Sequence, residues 1–174
     1  MEINLVYDGQ FIKWSDKRLT FKATSGMPGH QMPENHCQPD AGPVPDGLYK
    51  VFIADHGVAT DDGRGVCALK PSWGMQAIPR GAKAGSCEPY WANWGSNRAR
   101  MEPADEATRR RCAPISRAGF YLHDSIKGYS HGCIEVETKI FKHLREYNLK
   151  TKKQTVILQV KYIAGRPTNG GTKI

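Results

Sequence analysis

Phe120-Tyr121-Leu122-His123-Asp124-Ser125-Ile126-Lys127-Gly128-Tyr129-Ser130-His131-Gly132-Cys133-Ile134-Glu135-Val136 carries the densest chemistry in the chain. Gly119 to His123 reads as a short strand that ends on a histidine. Cys133 follows a glycine and precedes Ile134, Ile140, Phe141, Leu144 and Tyr147, whose spacing predicts a helix over 134–147. A cysteine at a helix amino end meets positive dipole and free N–H groups. These lower a thiol pKa from about 8.5 toward roughly 3.5 to 7.5 and offer an oxyanion hole. Gly132 lets the backbone approach a substrate. The loop 124–129 can fold His123 back onto Cys133, which gives the Cys–His pair that thiol acyl transfer requires. The same atoms permit a metal reading, with His123, His131 and Cys133 as ligands and Cys112 or a water as the fourth. Spacing alone favours acyl transfer over metal binding or ordinary packing.

Outward from this stretch the chain reads mainly as β. Leu5-Val6-Tyr7 and Phe11-Ile12-Lys13-Trp14 flank Asp8-Gly9-Gln10, a hairpin signal. Leu19, Phe21 and Ala23 alternate with polar residues up to Ser25-Gly26. Residues 26–47 are a Gly- and Pro-rich loop that feeds a strand over Leu48–Ala54. Residues 55–118 are irregular, with one short helix expected over Glu102–Arg111. Thr155–Ile163 is the clearest strand. One domain is expected over 1–164, with 165–174 as a flexible tail.

The chain has 174 residues and 39% apolar content, enough for one buried core. Its longest apolar run, Val51 to Ala54, is far short of the ~20 residues that cross a bilayer. The opening residues lack the pattern of a secretory signal, so no membrane partner is expected. Lys and Arg exceed Asp and Glu by 25 to 17, and the excess sits at one end. Residues 138–174 hold nine Lys or Arg and a single acid, Glu146. A basic end suits anionic partners or a solvated face, and no nucleic-acid motif accompanies it, so no nucleic acid is expected. Cys37, Cys67, Cys87, Cys112 and Cys133 include no C-x-x-C pair. Four can pair in an oxidising compartment in any of three connectivities, leaving one thiol for chemistry; five reduced thiols in a cytosolic protein are the alternative.

Ser130-His131-Gly132-Cys133 with an upstream histidine resembles the signature of the L,D-transpeptidases, the YkuD-type catalytic domain. The order Ser25-Gly26, loop, Pro45-Asp46-Gly47-Leu48-Tyr49 is similar to that family's strand, loop and strand entry. The resemblance spans roughly residues 3–163. It implies curved mixed β-sheets, sandwich-like, with one or two short helices. Two departures stand out: Glu135 occupies the place where the family usually has arginine, and the loop between the two histidines is short. The short loop and bare amino end look like the L,D-transpeptidase-like toxins delivered by type VI secretion.

The roles that follow are implied by the resemblance. Cys133 is the nucleophile and His123 its base, and no metal or cofactor is needed. Asp124 orients the imidazole through its backbone carbonyl, with its carboxylate as a second route. His131 and Ser130 shape the site, and the N–H groups of Gly132 and Cys133 hold the oxyanion. The expected substrate is a peptidoglycan tetrapeptide stem, and the site of action is the periplasm of a target bacterium, reached without a signal peptide. An immunity protein and a secretion-apparatus carrier are the expected protein partners. Trp91 and Trp94, in Tyr90-Trp91-Ala92-Asn93-Trp94, are candidate substrate contacts, or they pack a loop onto the core. The rivals are a housekeeping L,D-transpeptidase that forms 3–3 cross-links and a non-enzymatic basic module that binds an anionic polymer.

Overall fold

Ten strands carry most of the chain: β1 (Leu5–Tyr7), β2 (Phe11–Trp14), β3 (Leu19–Ser25), β4 (Gly47–Phe52), β5 (Asp55–Val58), β6 (Met75–Ala77), β7 (Asn97–Pro103), β8 (Phe120–His123), β9 (Ile134–Val136) and β10 (Thr155–Val160). Three α-helices accompany them: α1 (Pro89–Trp94), α2 (Glu106–Arg109) and α3 (Lys139–Thr151). The computed structural model describes residues 1–174 apart from the Pro89 side chain.

The local chemistry explains the first pairing. Asp8 Oδ1 accepts from the N–H groups of Gln10 and Phe11, both at 2.9 Å, and folds the hairpin between β1 and β2. The strands then run in the order β4-β10-β1-β2-β3-β9-β8-β7, and β7 pairs back onto β4. Eight strands therefore close into a barrel, and β6 and β5 extend outward from β7. The pairings β1–β10 and β8–β9 are parallel and the other barrel pairings antiparallel. The fold is thus mainly β with few helices, as the sequence implies. Its mixed sheet curves until it meets itself.

Alternation decides what fills the barrel. Leu5, Ile12, Phe21, Val51, Met101, Leu122, Ile134 and Leu158 are all buried in one core. Helix α3 adds Ile140, Phe141 and Leu144 to it. A second, smaller core forms in the 55–95 region from Ala59, Leu69, Ile78, Ala84 and Tyr90, stapled by the Cys67–Cys87 disulfide. This satellite core holds α1 beside the barrel.

Three sequence expectations change. The helix foreseen over 134–147 starts only at Lys139, because Ile134 and Val136 face the core and join β9 to β3 and β8. Ladder pairing of β-branched residues outweighs the helical spacing there. The helix foreseen over Glu102–Arg111 shrinks to Glu106–Arg109. Glu102 and Pro103 belong to β7, and Asp105 caps α2 by accepting from the Thr108 N–H at 2.9 Å. The expected flexible tail is docked. Thr168 and Thr172 are buried; the Ser25 N–H donates to the Thr168 carbonyl at 2.9 Å, and Thr172 Oγ1 bonds Thr24 Oγ1. Small hydroxyl side chains beside Gly170 and Gly171 let this segment match polar groups along β3.

Candidate active site

Register builds the site. Leu122 and Ile134 pair across β8 and β9 and point into the core. Their neighbours Tyr121, His123, Cys133 and Glu135 therefore share the outer face. Arg98 lies opposite His123 and Arg100 opposite Tyr121 on β7, so two cations join the same face. Loops and α1 cover this stripe.

Cys133 is half-buried and is the free cysteine of the five. The other four form Cys37–Cys112 and Cys67–Cys87. Cys112 is thereby removed from the metal set considered above. Cys133 precedes a strand and not a helix, so it lacks the expected helix amino end. Burial pushes its thiol pKa up, while the Tyr121 N–H, 3.3 Å from Sγ, and the charges of Arg98, Lys127 and Arg100 pull the other way.

His123 is buried and lines a cavity together with Cys133. Burial drives its pKa down to about 3, the charges of Lys127 and Arg98 push the same way, and the Trp94 carbonyl opposes them. The imidazole is therefore neutral at pH 7. Its Nδ1 lies 3.0 Å from Ser125 Oγ. Trp94 meets the ring edge-on at 5.4 Å between centroids. Arg98 is buried between the Trp94 and Tyr121 rings and is held by Gln76 Oε1 at 2.8 Å and the Lys70 carbonyl at 2.9 Å.

Ser130 and Ser25 fix the turn that presents the thiol. Ser130 Oγ donates to the Cys133 carbonyl and accepts from the Gly26 N–H at 3.1 Å. Ser25 Oγ donates to the same carbonyl at 2.8 Å. The Ser25-Gly26 pair singled out in the sequence thus sits against the Ser130–Cys133 turn. Gly132 has φ +132°, and a Cβ there would stand 2.4 Å from Arg117 Nη2. The Gly132 N–H, one of the two expected oxyanion donors, faces Ser130 Oγ at 3.4 Å.

Two cavities meet at the thiol. One, of about 280 Å³, is lined by Asn93, Trp94, His123, Lys127, Ser130, His131 and Cys133. The other, of about 230 Å³, is lined by Pro39, Asp40, Arg117 and Phe120 among others. Cys133 and His131 line both. His131 Nδ1 lies 3.2 Å from the Asp40 carbonyl, which ties the ring to the 36–43 loop. Arg117 holds that loop as well, donating to the carbonyls of His36, Pro43 and Gly42.

Family models yield no match for this chain, and neither do the curated proteins. Among solved structures it is similar to that of Bdellovibrio bacteriovorus Bd1075, with a TM-score of 0.45 and 13% identity over 89% of this chain and 46% of that one. This chain spans less than half the length of that protein. A likeness at that distance says nothing about activity.

Of the residues chosen from sequence, Cys133, His123, His131, Ser130, Gly132 and Trp94 converge. Trp91 does not line the cysteine cavities; its ring stacks under Arg80 at 4.3 Å and lines a separate hollow with Gly95 and Thr138. Asp124 spends its carboxylate away from His123. Its Oδ1 accepts from the Ser96 and Asn97 N–H groups and its Oδ2 from Asn97 Nδ2 and Thr138 Oγ1. Its carbonyl makes no hydrogen bond to His123 among the described residues. Sequence reasoning passed over Ser125, Lys127, Arg98 and Arg117. The signal for Arg98 was alternation: it is a cation between the inward-facing positions of β7.

Proposed function

We propose that this chain is a cysteine acyltransferase that acts on peptidoglycan tetrapeptide stems, as an L,D-carboxypeptidase, a D-amino acid exchange enzyme or both. One observation carries the reading: the free thiol stands on a wall shared by two cavities, with a buried neutral imidazole lining one of them. Acyl transfer needs a place for the donor and a place for whatever accepts the acyl group. The Ser-His-Gly-Cys motif supports the choice of substrate.

In the proposed reaction the Cys133 S–H bond breaks and its proton passes to His123. The sulfur attacks the carbonyl carbon of the third stem residue, and the Cys133 N–H holds the oxyanion, since the Gly132 N–H is turned to Ser130 Oγ. The C–N bond to D-Ala breaks, and the departing amine takes the proton from His123. A thioester remains. Water then releases a tripeptide, or the amine of a D-amino acid gives the exchanged stem. Arg98, Arg100 and Lys127 stabilise the sulfur as it gains negative charge.

We further propose action in the periplasm of a target bacterium after type VI delivery, with an immunity protein and a secretion-apparatus carrier as partners. Two disulfides suit such an oxidising destination. A second reading has its own observation. Lys139, Lys142, Lys150, Lys152 and Lys153 are exposed, a face that would bind an anionic polymer without catalysis.

Incubation with disaccharide-tetrapeptide and mass spectrometry tests the choice. Loss of one D-Ala, or its exchange for an added D-amino acid, in wild type and not in Cys133→Ala supports the enzyme. Unchanged substrate with folded, reduced protein overturns it and promotes the binding module.

A further inference from the structure

We propose that Glu135 is the positioning residue for His123 and acts through the Ser125 hydroxyl, in a His123–Ser125–Glu135 relay that lines the cavity of Cys133. This rests on the acyl-transfer reading above and adds the group that orients its base.

Glu135 is fully buried on β9, two residues beyond Cys133 and on the same outer face. A buried carboxylate is retained only where hydrogen bonds compensate its desolvation. Glu135 accepts four. The Lys127 N–H donates to Oε2 at 3.0 Å, the Gly128 N–H to Oε1 at 2.7 Å and Thr172 Oγ1 to Oε1 at 2.5 Å. The fourth donor is Ser125 Oγ, in a very short contact with Oε2. The first three bonds anchor a loop and the carboxy-terminal segment. The fourth leads onward to the imidazole.

A hydroxyl has one proton to give. Ser125 gives it to the carboxylate, so its oxygen faces His123 Nδ1 as an acceptor at 3.0 Å. Nδ1 must then carry the ring proton, and the lone pair of the neutral imidazole falls on Nε2. When the thiol proton moves, the S–H bond breaks and an Nε2–H bond forms. The protons on Nδ1 and Oγ stay in place. The positive ring then faces a hydroxyl already polarised by a carboxylate, which strengthens both bonds. Asp124 has no part in this, because its four bonds point to Ser96, Asn97 and Thr138.

A purely structural Glu135 would predict otherwise. Ser125→Ala removes the link to His123 and leaves the other three bonds to Glu135 intact. Nitrogen NMR of the whole chain with 15N-labelled histidine reads the tautomer without any substrate. The relay requires the Nδ1–H form of His123 in wild type and its loss of preference in Ser125→Ala. Kinetics on disaccharide-tetrapeptide should then show kcat at least 10-fold lower in Ser125→Ala and Glu135→Gln, KM within about 2-fold, and recovery in Ser125→Thr, which restores a hydroxyl. An Nε2–H tautomer in wild type overturns the proposal. So does Ser125→Ala that leaves the tautomer unchanged. If wild type fails to turn over the stem, the acyl-transfer reading falls, and the tautomer still decides whether Ser125 and Glu135 orient His123.

Discussion

At Cys133 two influences compete, and burial is the larger. The thiol is therefore protonated at neutral pH in the free protein, beside an imidazole that is neutral too. Alkylation of Cys133 by iodoacetamide should follow a single inflection above the ordinary thiol value of about 8.5. An inflection below pH 7 would mean a preformed thiolate–imidazolium pair and would refute this account. His123 carries a stability consequence. Its pKa falls from 6.5 to about 3 on folding, so below pH 6.5 the unfolded chain binds the proton that the folded chain refuses. The stabilisation is complete above pH 6.5 and is lost as pH falls from there toward 3. The contribution changes by up to about 1.4 kcal/mol per pH unit. Urea midpoints at pH 7, 6 and 5 should fall in wild type and fall less in His123→Gln; equal slopes would count against it. Gly132→Ala places a methyl group against Arg117 in a left-handed backbone and should cost roughly 1–3 kcal/mol. Thermal unfolding checks this, and an unchanged midpoint would show that the turn has room.

The elements around the thiol are secured from outside the barrel. The Cys37–Cys112 bridge spans a separation of 75 residues and joins the 36–43 loop to the segment after α2. By loop-closure entropy it stabilises the fold by about 4 kcal/mol, and Cys67–Cys87, with a separation of 20, by about 3 kcal/mol. Cys37→Ser with Cys112→Ser should lower the midpoint by roughly 10 °C or more and loosen the Asp40 carbonyl from His131. Scanning calorimetry of the double variant, with Cys133 reduced, measures it; a shift under about 3 °C would show that Arg117 alone holds the loop. The segment 168–172 is an element of the same kind, made of hydroxyls and glycines instead of apolar residues. Hydropathy patterns cannot find such a piece, because what orders it is the polar groups of β3 and Glu135.

At the scale of the molecule, the strands that alternate were visible in the sequence, and so was the cleft. The hairpin at Asp8, β3, β8 and β10 follow from local pattern, and the turn Ser130–Cys133 follows from its own residues. What was hidden is pairing across distance. No pattern in Tyr49-Lys50-Val51 announces Met101, Glu102 and Pro103 as partners, yet that ladder closes the barrel. Glu135 was hidden for the same reason, since its donors come from residues 125, 127, 128 and 172. In the sequence Glu135 stood out only as a departure from the arginine of the resembled family.

Leu5, Val6 and Tyr7 lie alongside Leu158, Gln159 and Val160. The first strand thus has a parallel neighbour that does not exist until residues 158–160 have been made. A ribosome releasing this chain handles an open ribbon whose two margins are unpaired. The barrel closes only when β10 enters between β1 and β4.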